Sequence, residues 1–127
     1  METQDIHIPP VRLKWSEWAS WNDLMRDARS GGIRIPTGKP GVYEVRLEQN
    51  LERLTIGKAS DLRMRIRQGL IKGKTQHSAG KRIRANEDVS KIEIRWAETD
   101  RPSAVEEELH KQYLAHFGEW PRYTDHT

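Results

Sequence analysis

Residues 41–67 constrain the fold of this chain most, because two β-strand patterns are followed at once by a helix pattern. In residues 41–47 the side chains alternate, so that one set faces a core. That inward set is Tyr43, Val45 and Leu47. A turn over residues 48–50 leads into a return strand over residues 53–57, which ends at a glycine. The stretch therefore predicts a β-hairpin followed directly by a helix over residues 60–70.

The arginines of the helix predicted over residues 60–70 lie on different sides of it. Its narrow apolar stripe consists of Leu62, Ile66 and Leu70. Arg63 and Arg67 lie on one flank of that stripe, where a pair of cations suits a phosphate backbone. Arg65 lies on the other flank, about 160° around the helix from Arg67, at the edge of the core. A cation held rigidly there suits catalysis, although its stem could equally serve to cover apolar surface.

Residues 16–30 are predicted to form an N-terminal helix that is rich in tryptophan. Ser20 is a suitable N-cap, and Gly31 and Gly32 end the run. The apolar positions at helical spacing are Trp21, Leu24, Met25 and Ala28, with Trp15 and Trp18 just before them. Tryptophans can stack on bases, but such a stripe more often packs in a core, and we expect packing here.

The remaining patterns complete a small α/β (α+β) fold. A third strand is predicted over residues 91–96, and a last helix runs over residues 103–117. We expect a mostly antiparallel sheet of three strands, flanked by helices, with the tryptophan-rich helix packed outside. The 127 residues suit one compact domain, made of an N-terminal extension over residues 1–34 and a main unit over residues 35–127.

The composition excludes several kinds of site and protein. Since the chain has no cysteine, disulfide frameworks, thiolate zinc sites and cysteine nucleophiles are ruled out. No apolar run approaches the roughly 18 residues of a membrane span. The first residues lack the basic and then apolar layout of a signal peptide. We therefore expect a soluble, cytoplasmic protein that does not act at a membrane.

Positive charge is concentrated between Lys58 and Arg84, where nine basic residues occur with a single acid, Asp61. The whole chain has a net charge of only +3, so the rest of it is net acidic. A basic block inside a folded domain favours a polyanion partner, although many such runs are solvated surface. The residues expected to contact nucleic acid are Arg63, Arg67, Lys72, Lys74, Lys81, Arg82 and Arg84.

Helical phase distinguishes the three consecutive glutamates of the last helix. Its apolar face consists of Val105, Leu109, Tyr113 and His116. Glu106 lies about 50° from the centre of that face, whereas Glu107 and Glu108 point away from it. An inward carboxylate needs a partner, which could be one Mg²⁺ or Mn²⁺ ion or a salt bridge to Arg65, and both remain open at this point.

The order and spacing of these features resemble the GIY-YIG nuclease family. That family has a Gly-Ile-Tyr strand, a Tyr-Ile-Gly strand, an arginine ten residues after the second tyrosine, a helical glutamate and a closing Pro-x-Tyr-Asn. The similar segments here are Gly41-Val42-Tyr43, Thr55-Ile56-Gly57, Arg65, Val105-Glu106 and Pro121-Arg122-Tyr123-Thr124. The resemblance covers about residues 35–124 and implies the same fold.

The resemblance also implies a metal-dependent endonuclease that hydrolyses phosphodiester bonds in nucleic acid, with DNA as the expected substrate. Water would be activated near Tyr43 and Lys58, and Arg65 would stabilise the charge that develops on the phosphate. One Mg²⁺ or Mn²⁺ ion on Glu106 would stabilise the leaving oxygen. Such small domains often act with a partner protein that targets them, and that remains open here.

Two family positions are changed, because Thr55 replaces the second tyrosine and Thr124 replaces the closing asparagine. Threonine is no practical base at neutral pH. Tyr43 could take over the role if Lys58 lowered its pKa. His77, in a loop predicted over residues 72–80, is another candidate base, although a solvent-exposed loop histidine is the simpler interpretation.

These substitutions leave two other functions open. The domain could be a catalytically impaired module that binds nucleic acid through the same groove. It could also be a protein-interaction domain that uses exposed tryptophans near its N-terminus. His110, one turn after Glu106, could orient the metal ligand without binding the metal itself, or it could simply pack.

Overall fold

The computed structural model describes residues 12–26 and 32–124 of the chain. The strands are β1 (Ala19–Ser20), β2 (Gly41–Leu47), β3 (Thr55–Ala59) and β4 (Ile92–Glu98). The helices are α1 (Trp21–Met25), α2 (Met64–Ile71), which is wound as a π-helix, α3 (Ser78–Asn86) and α4 (Pro102–Phe117), with a 3-10 turn at Val89–Lys91. Within these residues, no helix combines the length and the apolar character that crossing a bilayer requires.

The strands form one antiparallel sheet in the order β1-β4-β2-β3. The predicted α+β class and the β2–β3 hairpin are confirmed, but the predicted count of three strands is wrong, because β1 adds a fourth at the edge. In the centre of the sheet, Tyr43 lies opposite Gly57 on β3 and Trp96 on β4. A Cβ atom at residue 57 would overlap the Tyr43 ring, so this position requires glycine.

The N-terminal segment differs from the helix predicted over residues 16–30. Its first part is extended and includes β1, and α1 is shorter than predicted. Ser20 is the N-cap, as predicted, and its hydroxyl accepts a hydrogen bond from the Asp23 N–H at 3.1 Å. The predicted end of the helix, including Ala28 and Gly31, lies outside the residues that the structure describes.

Cation–π contacts and hydrogen bonds to β4 hold the extended segment before α1 against the sheet. Arg46 lies 3.7 Å from the centre of the Trp18 ring, and Arg95 lies 4.1 Å from the centre of the Trp15 ring. An extended chain rises about 3.3 Å per residue and can follow the strands that carry these arginines. Trp21, in contrast, is buried in the core, as predicted.

The core lies mainly between α2, α3 and the face of the sheet that carries Tyr43. The predicted apolar stripe of α2 and the residues just before it is confirmed, since all three side chains are fully buried: Leu62, Ile66 and Leu70. A smaller cluster contains Val42, Ala97 and Val105, which joins α4 to the sheet. These two clusters place α2 and α4 on either side of the β3 edge, where the site described next is found.

Candidate active site

A small cavity of about 110 Å³ lies where β2, β3, α2 and α4 meet. Six of the residues predicted to be catalytic line it: Tyr43, Thr55, Arg65, His77, Glu106 and Thr124. They come from positions as far apart in sequence as 43 and 124, so only the fold brings them together. Their convergence identifies this cavity as the candidate active site.

Tyr43 lies at the centre of the site, with 1% of its surface exposed. Its hydroxyl oxygen is 2.6 Å from Nε2 of His77. Burial raises the pKa of Tyr43 to about 12, the nearby Glu106 carboxylate adds to the rise, and the Arg65 guanidinium opposes it as a charge and a hydrogen-bond donor. The Tyr43 phenol is therefore protonated at neutral pH.

His77 is buried, with 5% of its surface exposed, so the interpretation as a solvent-exposed loop residue is wrong. Its Nδ1 accepts a hydrogen bond from the Gly80 N–H at 2.9 Å, which makes His77 the N-cap of α3. Because Nδ1 accepts, the ring proton of the neutral imidazole is on Nε2, which donates to the Tyr43 hydroxyl. His77 therefore positions Tyr43, and protonating it would break the cap.

The sequence does not predict His77 as an N-cap, because α3 begins earlier than the sequence pattern indicates. The sequence predicts a loop over residues 72–80, which would place His77 in an irregular segment. In the structure α3 begins at Ser78, directly after His77. A histidine three residues before a glycine is a weak signal for an N-cap, since Ser, Thr, Asp and Asn are the usual residues there. The contact with Tyr43 joins residues 34 positions apart and has no local signature.

Arg65 is held in place at the edge of the cavity. Its guanidinium Nη1 donates to the Gln76 carbonyl oxygen at 3.0 Å. The same guanidinium interacts with the Tyr43 hydroxyl and lowers the pKa of that group. A cation fixed by the backbone in this way is already oriented for an anionic ligand, so it loses little freedom when the ligand binds.

Of the three consecutive glutamates, Glu106 is the one that lines the cavity. This confirms the orientation that the helical periodicity predicts. Glu106 is half-buried, whereas Glu107 and Glu108 are exposed. Glu107 pairs with Lys111 one turn away, at 3.4 Å. Across the part of the chain that the structure describes, Glu106 forms no salt bridge to Arg65 or to any other cation. Its carboxylate is thus available for a ligand.

Lys58 does not line this cavity. It is exposed, and its Nζ donates to the Ser103 hydroxyl at 3.0 Å. It lines an adjoining groove of about 530 Å³, to which Arg65 also contributes. The expectation that Lys58 lowers the pKa of Tyr43 is wrong, because burial raises that pKa and the opposing cation is Arg65.

The two threonines that replace family residues have different environments. Thr55 is buried, and its hydroxyl donates to the Tyr123 carbonyl oxygen at 3.4 Å. The Thr124 hydroxyl oxygen is buried and has no hydrogen-bond partner within residues 12–26 and 32–124. Thr55 therefore holds the C-terminal segment to β3, whereas Thr124 presents an unsatisfied polar atom beside the cavity.

The predicted nucleic-acid contacts differ in their exposure and hydrogen bonding. Arg67 has 8% of its surface exposed and donates to the Met25 carbonyl oxygen at 3.2 Å. Arg84 donates to the Gly69 carbonyl oxygen at 3.1 Å, and Arg82 donates to the Tyr123 carbonyl oxygen at 3.2 Å. Arg63 is half-buried, and the exposed members of the set are Lys72, Lys74 and Lys81.

His110 also lines the cavity, one helical turn beyond Glu106. Its Nε2 lies 3.1 Å from the Ile56 carbonyl oxygen, and its ring meets the Trp120 ring edge-on with 5.6 Å between ring centres. In the sequence the only signal for this residue was its position four residues after Glu106.

The lining of the cavity includes oxygen atoms of the kind that bind a cation. Among the residues described, no group of three or more His, Cys, Asp and Glu side chains is close enough to hold a metal ion. The cavity does combine the unpaired Glu106 carboxylate with the unsatisfied Thr124 hydroxyl. Oxygen donors of this kind suit Mg²⁺ or Mn²⁺.

Comparison of the chain with models of known protein families, with curated proteins and with solved structures gave no match.

Proposed function

We propose that this protein is a metal-dependent endonuclease that hydrolyses phosphodiester bonds in nucleic acid, and in DNA in particular. The observation that carries the proposal is the meeting of Tyr43, Arg65 and Glu106 around one small cavity. Phosphodiester hydrolysis needs a group that handles the proton of water, a fixed cation for the phosphate and a carboxylate for a metal ion. Each of the three side chains supplies one of these.

Arg65 is the group that would hold the scissile phosphate. The Gln76 carbonyl orients its guanidinium, whose remaining N–H groups can donate to the equatorial oxygens of the phosphate. Negative charge grows on those oxygens in the transition state. Since Arg65 is positioned before substrate binds, its charge acts without a reorganisation cost.

Tyr43 would orient the attacking water and accept its proton as a phenolate. His77 donates to the Tyr43 oxygen through Nε2–H, and Arg65 donates to the same oxygen. Both hydrogen bonds stabilise the phenolate, whereas burial and Glu106 oppose it. The small phenolate fraction present at neutral pH would then limit the rate, and the rate would rise with pH.

Glu106 would hold one Mg²⁺ or Mn²⁺ ion, with the Thr124 hydroxyl as a second oxygen donor. When bound, such an ion supplies positive charge for the leaving oxygen and increases the acidity of water. Glu106 itself contributes the charge that attracts the ion, and its position on α4 aims it at the phosphate site beside Arg65.

The likeness to GIY-YIG nucleases supports the same proposal. The two motif strands pair antiparallel with Tyr43 opposite Gly57, and the glycine leaves room for the tyrosine ring. The likeness extends to a helical arginine and a helical glutamate at one cavity. We propose a cytoplasmic location and contact with nucleic acid through the exposed Lys72, Lys74 and Lys81 and the half-buried Arg63.

A second candidate function is a module that binds nucleic acid without cutting it. The observation that favours it is the Thr55 hydroxyl, which is directed to the Tyr123 carbonyl and not to the centre of the cavity. A site with one tyrosine of raised pKa and no second hydroxyl at its centre would bind phosphate through Arg65 and cleave it poorly.

Nicking of a supercoiled plasmid in Mg²⁺, Mn²⁺ or EDTA tests both functions. Metal-dependent nicking that is lost in Glu106→Gln and retained in Glu107→Gln supports the endonuclease. The two variants are matched, because they remove the same charge from adjacent positions and only Glu106 lines the cavity. Salt-sensitive binding without nicking by the wild type supports the binding module. A protein that neither binds nor nicks contradicts both.

A further inference from the structure

We propose that the cation at this cavity is bound by a nitrogen as well as by oxygens, with His110 Nδ1 as a ligand beside Glu106 and Thr124. The site would then prefer Mn²⁺ and Co²⁺ to Mg²⁺. This inference rests on the proposed function, which places a divalent cation at Glu106. It goes beyond that function by adding a ligand and the class of metal selected.

The hydrogen bonding of His110 determines which ring nitrogen can bind a metal. Its Nε2 lies 3.1 Å from the Ile56 carbonyl oxygen, and a carbonyl oxygen can only accept. Nε2 therefore carries the proton, and the lone pair of the neutral ring is on Nδ1. Within residues 12–26 and 32–124, Nδ1 has no hydrogen-bond partner.

This arrangement is the one that histidine ligands commonly have in metalloproteins. A ligating histidine almost always donates its other ring N–H to a carboxylate, a backbone carbonyl or water, which fixes the tautomer and the ring orientation. The Ile56 carbonyl has that role here, and the Trp120 ring packs edge-on against the imidazole. His110 is thus oriented before any metal binds.

Glu106 and His110 lie on the same side of α4. Residues four apart on an α-helix are neighbours on its surface, and both side chains line the cavity. Glu106 has no ion pair within the described part of the chain. A carboxylate and a bare imidazole nitrogen in this relation can bind one cation together.

Thr124 supplies the third donor, from the C-terminal segment. Its hydroxyl oxygen is buried and unsatisfied among the described residues, and Thr124 is one of the residues that line the cavity. Leaving a hydroxyl without a partner inside a protein destabilises the fold, and a bound cation would remove that destabilisation. Two oxygens and one nitrogen leave the remaining coordination positions for water and a phosphate oxygen.

The nitrogen ligand decides the expected metal. Carboxylates, hydroxyls and water suit Mg²⁺, whereas imidazole binds later first-row metals more strongly, in the order Mn²⁺ below Co²⁺ below Ni²⁺. A site made only of oxygen would distinguish Mg²⁺ from Co²⁺ weakly. We therefore expect the wild type to bind Co²⁺ at least about tenfold more tightly than Mg²⁺.

The experiment measures metal binding by the full chain without nucleic acid, using isothermal titration with Co²⁺ and with Mg²⁺. His110→Gln retains an amide that can donate to Ile56 and replaces the nitrogen ligand by an oxygen. It should weaken Co²⁺ binding at least about tenfold and change Mg²⁺ binding much less. His116→Gln is the matched control, since His116 is exposed on the same helix and stacks on Phe117.

Equal Co²⁺ affinity in His110→Gln and wild type, or equal loss in His116→Gln, would overturn the proposal. So would a wild type that binds Mg²⁺ as tightly as Co²⁺. Nuclease activity is no part of this readout, so a protein that binds Co²⁺ through His110 and cuts nothing would contradict only the proposed function.

A measurement on the wild type avoids any effect of the substitutions on folding. Substoichiometric Mn²⁺ should broaden the NMR signals of the His110 ring and the Thr124 methyl group, and leave those of the His116 ring sharp. His110 signals that stay as sharp as those of His116 would overturn the proposal.

Discussion

The Tyr43 hydroxyl accepts a hydrogen bond from Nε2–H of His77 over 2.6 Å, because Nδ1 of the same ring is occupied by the Gly80 N–H. One buried, neutral histidine thus caps α3 and orients the central hydroxyl of the cavity. The imidazole ring of His77 therefore connects the N-terminus of α3 to the cavity. Substitution of His77 can separate the capping of α3 from the contact with Tyr43.

Substitutions of His77 should separate its effect on stability from its effect on cleavage. Asparagine is a good N-cap but is too short to reach Tyr43 in the same way, whereas alanine removes both contacts. We expect His77→Ala to be about 1 kcal/mol less stable than His77→Asn by urea unfolding, with cleavage reduced in both variants. Cleavage by His77→Asn at the wild-type rate would show that the contact with Tyr43 is not needed.

Tyr43→Phe should reduce single-turnover cleavage at least about 100-fold, since it removes the hydroxyl that we propose accepts the proton of the attacking water. With a pKa of about 12, the phenolate fraction of the wild type rises tenfold per pH unit through the neutral range. The logarithm of the wild-type rate should therefore rise with a slope near 1 between about pH 6.5 and 8.5. A Tyr43→Phe protein that is folded by circular dichroism and has the same slope and rate would remove Tyr43 from the mechanism.

The raised pKa of Tyr43 also predicts how stability changes in alkali. The pKa is about 12 in the folded protein against 10.0 for an ordinary tyrosine, so the contribution to stability is fully present below pH 10. It is lost as pH rises from about 10 to 12, because the unfolded chain gives up the proton first. The loss should amount to about 2–3 kcal/mol.

Chemical unfolding of the wild type and of Tyr43→Phe at pH 9 and pH 11.5 measures this difference. Other tyrosines and lysines titrate in both proteins, so only the difference between them reports Tyr43. The wild type should lose more stability than the variant over this interval. An equal loss in the two proteins would mean that the phenol has an ordinary pKa.

The exposed lysines should account for the salt dependence of binding to nucleic acid. Replacing Lys72, Lys74 and Lys81 by glutamine should flatten the slope of log affinity against log salt by up to about 0.9 per residue for duplex DNA. Lys111→Gln is the control, because Lys111 is exposed on α4 and pairs with Glu107. An unchanged slope in the triple variant would place the contact surface elsewhere.

The sequence predicts that Arg67 contacts nucleic acid together with Arg63, but the structure gives Arg67 a different environment. Its guanidinium donates to Met25 at the end of α1, and its Nε atom is buried without a partner among the described residues. Helical periodicity correctly separated Arg67 from Arg65, but it could not show that α1 would cover the Arg67 side of the helix.

The sequence by itself determined the elements whose signals are local. Alternation predicted β2 and its hairpin partner, a four-residue repeat predicted the buried stripe at Leu62, Ile66 and Leu70, and helical phase identified Glu106 as the inward glutamate. These features follow from the 2.0 and 3.6 residue periods of strand and helix, which short segments express without reference to the rest of the chain.

Only the tertiary structure decided the features that depend on partners far away in sequence. The extended segment that leads into β1 is held by arginines of β2 and β4 and by pairing with β4, and the tautomer of His77 depends on Gly80. The raised pKa of Tyr43 depends on burial and on charges carried by α2 and α4. Desolvation and Coulomb interactions act through space, and no local period in the sequence records which groups will become neighbours.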